Sequence, residues 1–169
     1  MATFRAGKAA EFFSFPDPVN EVSARLVAAG VMVMAVVGLI FDGHVTWLLA
    51  VLAYGFIARV LTGPTMSPLG QLVTRVVTPR VRLAARPVAG PPKRFAQAMG
   101  VAFSVSALVL TLLGDHTAAR VVLALLLSAA TLESVFGVCL GCTVFALLMR
   151  IGWIPQEVCE RCNNLSLAR

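Results

Sequence analysis

Two Cys-x-x-Cys pairs contain all four cysteines of the chain and are the residues best suited to chemistry. Cys139 and Cys142 lie in the last long apolar run, and Cys159 and Cys162 lie in the polar segment that follows it. A pair at this spacing can cycle between a dithiol and a disulfide when one thiolate is accessible and its pKa is lowered. We therefore expect any thiol or metal chemistry of this chain at these four positions.

Zinc binding is the second chemistry that these pairs allow. Sixteen residues separate the first pair from the second, which is within the spacing found in zinc sites built from two such pairs. One zinc ion would then be held by the thiolates of Cys139, Cys142, Cys159 and Cys162. The intervening segment is apolar, unlike the hairpin-rich spacer of a soluble zinc ribbon. The spacing alone leaves both chemistries open.

Glu133 is the only carboxylate inside an apolar run. Ionisable groups at membrane depth usually mark a functional site, so Glu133 is a candidate proton relay to the thiols. On one continuous helix it would lie off the face of Cys139 and Cys142, and the alternative is a structural carboxylate that is neutral or paired with an arginine, with Arg59 as the candidate partner. Redox pairs usually place the first cysteine at a helix N-terminus, which happens here only if Gly137 breaks the helix.

The composition is that of a membrane protein. Hydrophobic residues make up 59% of the chain and charged residues only 13%, compared with about 25% charged in soluble domains. The net charge of +6 does not indicate nucleic acid, because basic and aromatic residues are not interleaved as such a surface requires. The phenylalanines are scattered and provide no argument for a quinone site. The charge instead indicates cytoplasmic loops that are rich in Lys and Arg.

Four apolar runs have about the length that a bilayer core requires. We predict an all-α polytopic membrane protein with four transmembrane helices in two hairpins plus a short interfacial helix. The predicted spans are residues 22–41, 45–61, 95–113 and 118 to about 138. The predicted organisation is a cytoplasmic N-terminal segment over 1–21, a transmembrane domain over 22–154 with a basic cytoplasmic loop over 62–94, and a cytoplasmic Cys-x-x-Cys tail over 155–169.

The loop over 62–94 sets the predicted orientation. It carries six basic residues and no acidic one, so the positive-inside rule places it in the cytoplasm. Within it, Ser67 is a plausible N-cap and Pro68 a first helical residue, which predicts a short helix over 67–77 lying in the membrane surface. We expect a multi-pass protein of the inner (cytoplasmic) membrane with both termini in the cytoplasm.

The apolar run over 118–154 is too long for one simple span. In the arrangement that we prefer, the fourth helix ends near Val138, both thiols of the first pair reach the cytoplasmic interface, and the remainder protrudes or lies along the membrane. In the other arrangement, Gly137 and Gly141 break the helix and the following residues re-enter the bilayer.

Four stretches of the sequence carry a family resemblance: FPDPVNEVSARLVAAG, GPTMSPLGQLV, PPKRFAQAMG and LESVFGVCLGC. In these the chain resembles a bacterial integral membrane family of unknown function, the domain-of-unknown-function 4395 family. The resemblance implies a four-helix membrane protein whose most distinctive segment runs from Glu133 to Cys142. It also implies an association with thioredoxin-like and rhodanese-like proteins, and it assigns no reaction.

Thiol chemistry at a membrane edge is the function that we predict. The chain would be a membrane thiol-disulfide or sulfur-relay protein in which Cys139 and Cys142 form the membrane-proximal dithiol. Cys159 and Cys162 would exchange with a soluble thioredoxin-like or rhodanese-like partner through mixed disulfides. The alternative is a zinc-binding structural or assembly subunit of a larger membrane complex, with all four thiolates as ligands.

Overall fold

The computed structural model describes residues 17–41, 46–81, 84 and 86–155, and nearly all of them are helical. The helices are α1 (Glu21–Phe41), α2 (Thr46–Thr62), α3 (Pro68–Leu72), α4 (Thr78–Val81), α5 (Gly90–Leu112), α6 (His116–Thr131) and α7 (Leu140–Arg150). A 3-10 turn spans Gly63–Thr65, and π-helical turns span Val73–Val77 and Leu132–Phe136. Two short strands, β1 (Val19–Asn20) and β2 (Pro87–Val88), pair antiparallel.

Four helical segments are long and apolar enough to cross a membrane. They are Glu21–Phe41, the run Thr46–Val81 that begins with α2, Gly90–Leu112 and His116–Phe136. α7 has 11 residues, about half the length of a simple span. Large apolar side chains such as Leu112 and Val121 are exposed on the outside of the bundle, as a lipid-facing surface requires. The predicted all-α polytopic fold is confirmed.

The bundle interior is built from small and branched apolar side chains. Val31, Leu52 and Leu126 are almost completely buried where α1, α2 and α6 meet. α5 packs against α2 through a close approach at Gly100, where a Cβ atom would overlap the ring of Phe56. α5 and α2 can therefore approach closely. This packing also holds polar side chains at one end of the bundle against one another.

The short helix predicted after the second span is present. Ser67 is its N-cap, and the Ser67 hydroxyl accepts a hydrogen bond from the Gly70 amide at 3.2 Å. The segment packs along α1, because Leu69 lies against Gly30 and the hydroxyls of Ser23 and Thr78 are 3.1 Å apart. Its position relative to a membrane surface stays a prediction.

Two helix boundaries differ from those predicted. α5 begins at Gly90, five residues before the predicted start, with Pro91 and Pro92 in its first turn. Proline fits there because the first amides of a helix have no partner within it. α6 does not continue to Val138 as an α-helix: it passes into the π-helical turn over Leu132–Phe136 and stops at Gly137.

One end of the bundle collects the polar contacts. The N-terminal part of α1 meets the end of α6 where Arg25 bonds Ser134, and the first turn of α5 meets the same region where Lys93 bonds Glu133. Residues 63–89 connect α2 to α5 at this end. We call it the basic end.

Candidate functional site

Gly137 ends the fourth long helix at the basic end. Its φ of 71° is left-handed, a conformation that glycine adopts at little cost, and its amide donates to the Leu132 carbonyl. Arg25 of α1 donates from Nη2 to the carbonyl oxygens of Ser134 at 3.1 Å and Val135 at 2.9 Å. These are carbonyls that a helix end leaves without a partner, so Arg25 holds the break in place.

Cys139 is the N-cap of α7. Its backbone is extended, with φ −89° and ψ 103°, and its Sγ accepts a hydrogen bond from the Cys142 amide at 3.4 Å. The first cysteine of the pair therefore stands at a helix N-terminus. This is the redox arrangement that the sequence made conditional on a break at Gly137.

The two thiols differ in acidity. The hydrogen bond from the Cys142 thiol lowers the pKa of Cys139 below that of a free cysteine, and the charge of Lys93 and the Cys142 amide act in the same direction. Burial and the charge of Glu133 oppose this shift in part. The same hydrogen bond, together with burial, raises the pKa of Cys142. Cys139 is therefore the thiol prepared to be a nucleophile, and Cys142 is held protonated.

Glu133 forms an ion pair with Lys93 and not with Arg59. Lys93 Nζ lies 2.7 Å from Glu133 Oε1, and the two side chains are only 8% and 17% exposed. Arg59, the candidate partner, was therefore the wrong cation. α5 begins before the two prolines, which places Lys93 inside the helix, where it reaches Glu133. The prediction that Glu133 lies off the face of the thiols is also wrong, because the helix that carries Glu133 ends at Gly137, before Cys139 and Cys142.

A cavity of about 230 Å³ lies among α1, α2, α5 and α6 at this site. It is lined by Glu133, Cys139 and Arg59, and otherwise mostly by apolar side chains of α1, α5 and α6. A smaller cavity of about 190 Å³ lies beside it, and its walls include Lys93 and Arg59. Glu133, the nucleophilic thiol and Arg59 thus line one largely apolar cavity, and Lys93 lines the cavity beside it.

Arg59 is only 5% exposed, so it does not reach the membrane interface as a span-end arginine usually does. Its Nε donates to Gln97 Oε1 at 2.8 Å and its Nη1 to Ser67 Oγ at 3.1 Å. The guanidinium carbon lies 4.4 Å from the centre of the Phe56 ring. Among the residues described, Nη2 has no hydrogen-bond partner.

Sequence reasoning missed Lys93 and Arg25 as parts of this site. Both are cations at the start of a span, where solvation at the interface is the usual expectation. The signal for Lys93 was the Pro-Pro pair before it, which suits the first turn of a helix better than a loop. The signal for Arg25 was Gly137, because a helix end inside a bundle needs a donor for its carbonyls.

The tail pair, Cys159 and Cys162, lies outside the described residues. The four-thiolate zinc site and the exchange of this pair with a partner therefore stay predictions. Within residues 17–155, leaving aside the short gaps, no group of three or more His, Cys, Asp or Glu side chains is arranged to hold a metal ion.

Comparison with known proteins identifies a family for most of the chain. The family model described as Domain of unknown function (DUF4395) matches residues 19–150, a range that includes Glu133, Cys139 and Cys142. No curated protein and no solved structure matches the chain. The chain belongs to the DUF4395 family.

Proposed function

We propose that this protein is a membrane thiol-disulfide protein in which Cys139 is the nucleophile and Cys142 the resolving thiol. The observation that carries the proposal is the position of Cys139 as the N-cap of α7, where its Sγ accepts from the Cys142 amide. A helix N-terminus favours a negative charge, and a stabilised thiolate attacks disulfides at neutral pH. A buried cysteine that serves only as a small apolar packing residue does not need to cap a helix in this way.

The exchange has two steps. The Cys139 thiolate attacks one sulfur of a partner disulfide, forms a mixed disulfide and releases the second partner sulfur as a thiolate that takes up a proton. Cys142 then loses its proton and attacks Cys139 Sγ, which forms the Cys139–Cys142 disulfide and releases the partner as a dithiol. Two electrons pass from this chain to the partner, and the same steps run in reverse.

Cys142 can lose its proton only in the second step. While Cys139 is a thiolate, the Cys142 thiol donates to it and stays protonated. Once Cys139 is bound in a mixed disulfide, its negative charge is gone and that restraint is released. Glu133, whose charge acts on both thiols, is the carboxylate that we assign as proton acceptor.

The partner is a thioredoxin-like or rhodanese-like protein at the basic end, which we place on the cytoplasmic face of the inner membrane. Support for this orientation comes from the six basic residues of 62–94. Cys139 lies at the same end, since its neighbour Glu133 bonds Lys93. Cys159 and Cys162 are a second pair that also exchanges with the partner through mixed disulfides.

Trapping the mixed disulfide tests the proposal. The reduced full chain in detergent is mixed with the disulfide form of thioredoxin, and the products are separated without reductant. We expect Cys142→Ser to accumulate a mixed disulfide through Cys139, because the resolving thiol is gone, and Cys139→Ser to form no adduct in this segment. Equal trapping by both variants, or adducts only at Cys159 and Cys162, would contradict the assignment.

A further inference from the structure

One nitrogen of a buried cation, Nη2 of Arg59, has no hydrogen-bond partner among the described residues. Two buried cations, Lys93 and Arg59, share one carboxylate, Glu133, which leaves one net positive charge among these three groups. Arg59 is 5% exposed, and no described residue accepts a hydrogen bond from its Nη2. A buried donor without a partner is unfavourable, and more so when it is charged. A ligand with an acceptor oxygen would remove this cost.

The remaining walls of the cavity call for an apolar ligand. Ala28, Val31 and Phe103 are among the side chains that line it, and about 230 Å³ is enough for a ring-sized group. An inorganic anion would satisfy Arg59 but would leave these walls without contacts. The ligand that fits is a flat apolar ring that carries carbonyl oxygens.

The cavity also reaches the outer surface of the bundle. Leu125 lines it and is 53% exposed on α6, one of the helices long enough to span the membrane. A ligand with a long apolar tail could therefore enter from the lipid and leave its tail there. Cys139 also lines this cavity.

We propose that this cavity binds a membrane quinone, with one quinone carbonyl accepting a hydrogen bond from Arg59 Nη2 and the ring next to Cys139. The inference rests on the proposed thiol-disulfide function: the exchange runs in its reverse direction, from a reduced partner to the Cys139–Cys142 disulfide, and the quinone is the acceptor that reoxidises the dithiol. The two S–H bonds of Cys139 and Cys142 break and one S–S bond forms. The two protons and two electrons pass to the quinone, whose carbonyl oxygens become the two hydroxyls of a hydroquinone. Arg59 stabilises the negative charge that develops on the nearer oxygen.

Anaerobic mixing of the reduced full chain with decylubiquinone tests the inference. Its ring is fully substituted, so simple addition of a thiol is disfavoured. Loss of quinone absorbance gives the rate, and mass spectrometry of the peptide containing Cys139 and Cys142 gives the disulfide formed. The same samples are mixed separately with glutathione disulfide, and each quinone rate is divided by the exchange rate of that variant. General damage to the dithiol then lowers both rates and leaves their ratio unchanged.

Two variants and one matched control decide the outcome. Ala129→Leu fills the cavity from α6, and Arg59→Met removes the donor; we expect each to lower the ratio at least tenfold. Ala124→Leu makes the same change at an exposed position of α6 outside the cavity, and we expect the wild-type ratio. Because Arg59 also bonds Gln97 and Ser67, Ala129→Leu keeps the test informative if Arg59→Met does not fold.

Failure of the quinone site and failure of the proposed function look different in this experiment. Exchange with glutathione disulfide without quinone reduction overturns the quinone site and leaves the thiol-disulfide function standing. A wild-type ratio in Ala129→Leu overturns the site as well. A Cys139–Cys142 dithiol that reacts with neither reagent overturns both.

Discussion

At the residue scale, the acidity of Cys139 is set by three neighbours of different kinds. The Cys142 thiol and the charge of Lys93 lower its pKa, and the charge of Glu133 raises it. Lys93 and Glu133 therefore shift the pKa of Cys139 in opposite directions, and substituting one of them separates the two effects. The two thiols and Glu133 were predicted from the sequence, but Lys93 was not, because a cation beside two prolines at a span boundary is usually solvated.

We expect Lys93→Met and Glu133→Gln to shift the alkylation of Cys139 in opposite directions. Only the thiolate reacts, so the rate rises with pH through the pKa of Cys139, and the wild-type midpoint should lie below the value of about 8.5 for a free cysteine. Removing the cation should raise the midpoint, and removing the carboxylate should lower it. The measurement is the iodoacetamide rate at Cys139 against pH, resolved from the other cysteines by mass spectrometry.

Arg94→Met is the matched control for this pair. Arg94 follows Lys93 on α5, but it donates to the Val60 carbonyl at 3.1 Å and does not contribute to the acidity of Cys139. We expect it to leave the midpoint in place. A shift of the same size in Lys93→Met and Arg94→Met would show that net charge at the basic end, and not the position of Lys93, sets the acidity.

At the element scale, the decisive feature is the interruption between α6 and α7. The apolar pattern of 118–154 is continuous, so periodicity predicts one long helix, and only the excess length and Gly137 indicate a break. The left-handed backbone of Gly137 and the hydrogen bonds of Arg25 to the end of α6 produce it. Those contacts join residues more than one hundred positions apart, which local sequence patterns do not report.

Gly137→Ala should impair both stability and thiol reactivity. A left-handed alanine costs about 1–2 kcal/mol, and its Cβ would lie 3.4 Å from Arg25 Nη1, so the turn that presents Cys139 must shift. We expect a lower thermal midpoint in detergent and slower alkylation of Cys139 at neutral pH. Thermal unfolding and iodoacetamide kinetics measure the two effects.

Gly114→Ala separates backbone strain from the effect on the site. Gly114 also has a positive φ, of 85°, in the turn between α5 and α6, and nothing lies within 4 Å of its added Cβ. A similar loss of stability with unchanged alkylation of Cys139 is expected. If both variants slowed alkylation equally, the break at Gly137 would have no special role in presenting the thiol.

At the scale of the whole molecule, the first thiol pair and the basic segment share one end of the bundle. The all-α class, the four spans and the N-cap at Ser67 followed from composition, length and capping residues. The cavity did not, because its walls come from α1, α2, α5, α6 and the start of α7, and the scattered apolar residues that line it have no spacing in common.

The shared end gives a prediction about sidedness. In intact cells of a bacterial host, we expect a membrane-impermeant maleimide to leave Cys139 unlabelled, and in inverted inner-membrane vesicles to label it. The readout is mass spectrometry of the peptide that contains Cys139. A cysteine introduced by Leu113→Cys at the opposite end, where the side chain is 77% exposed, provides the control with the reverse pattern. Labelling of Cys139 in intact cells would place the basic end outside.

The most direct test of the central claim is a redox titration of the first thiol pair in the purified full chain. The protein is equilibrated in glutathione buffers of stepped potential, quenched with acid, alkylated and analysed by mass spectrometry of the segment from Cys139 to Cys142. We expect a single two-electron transition in which both thiols disappear together and an internal disulfide replaces them. Two free thiols in this segment at every potential, while the protein stays folded, would contradict the claim that these cysteines do redox chemistry.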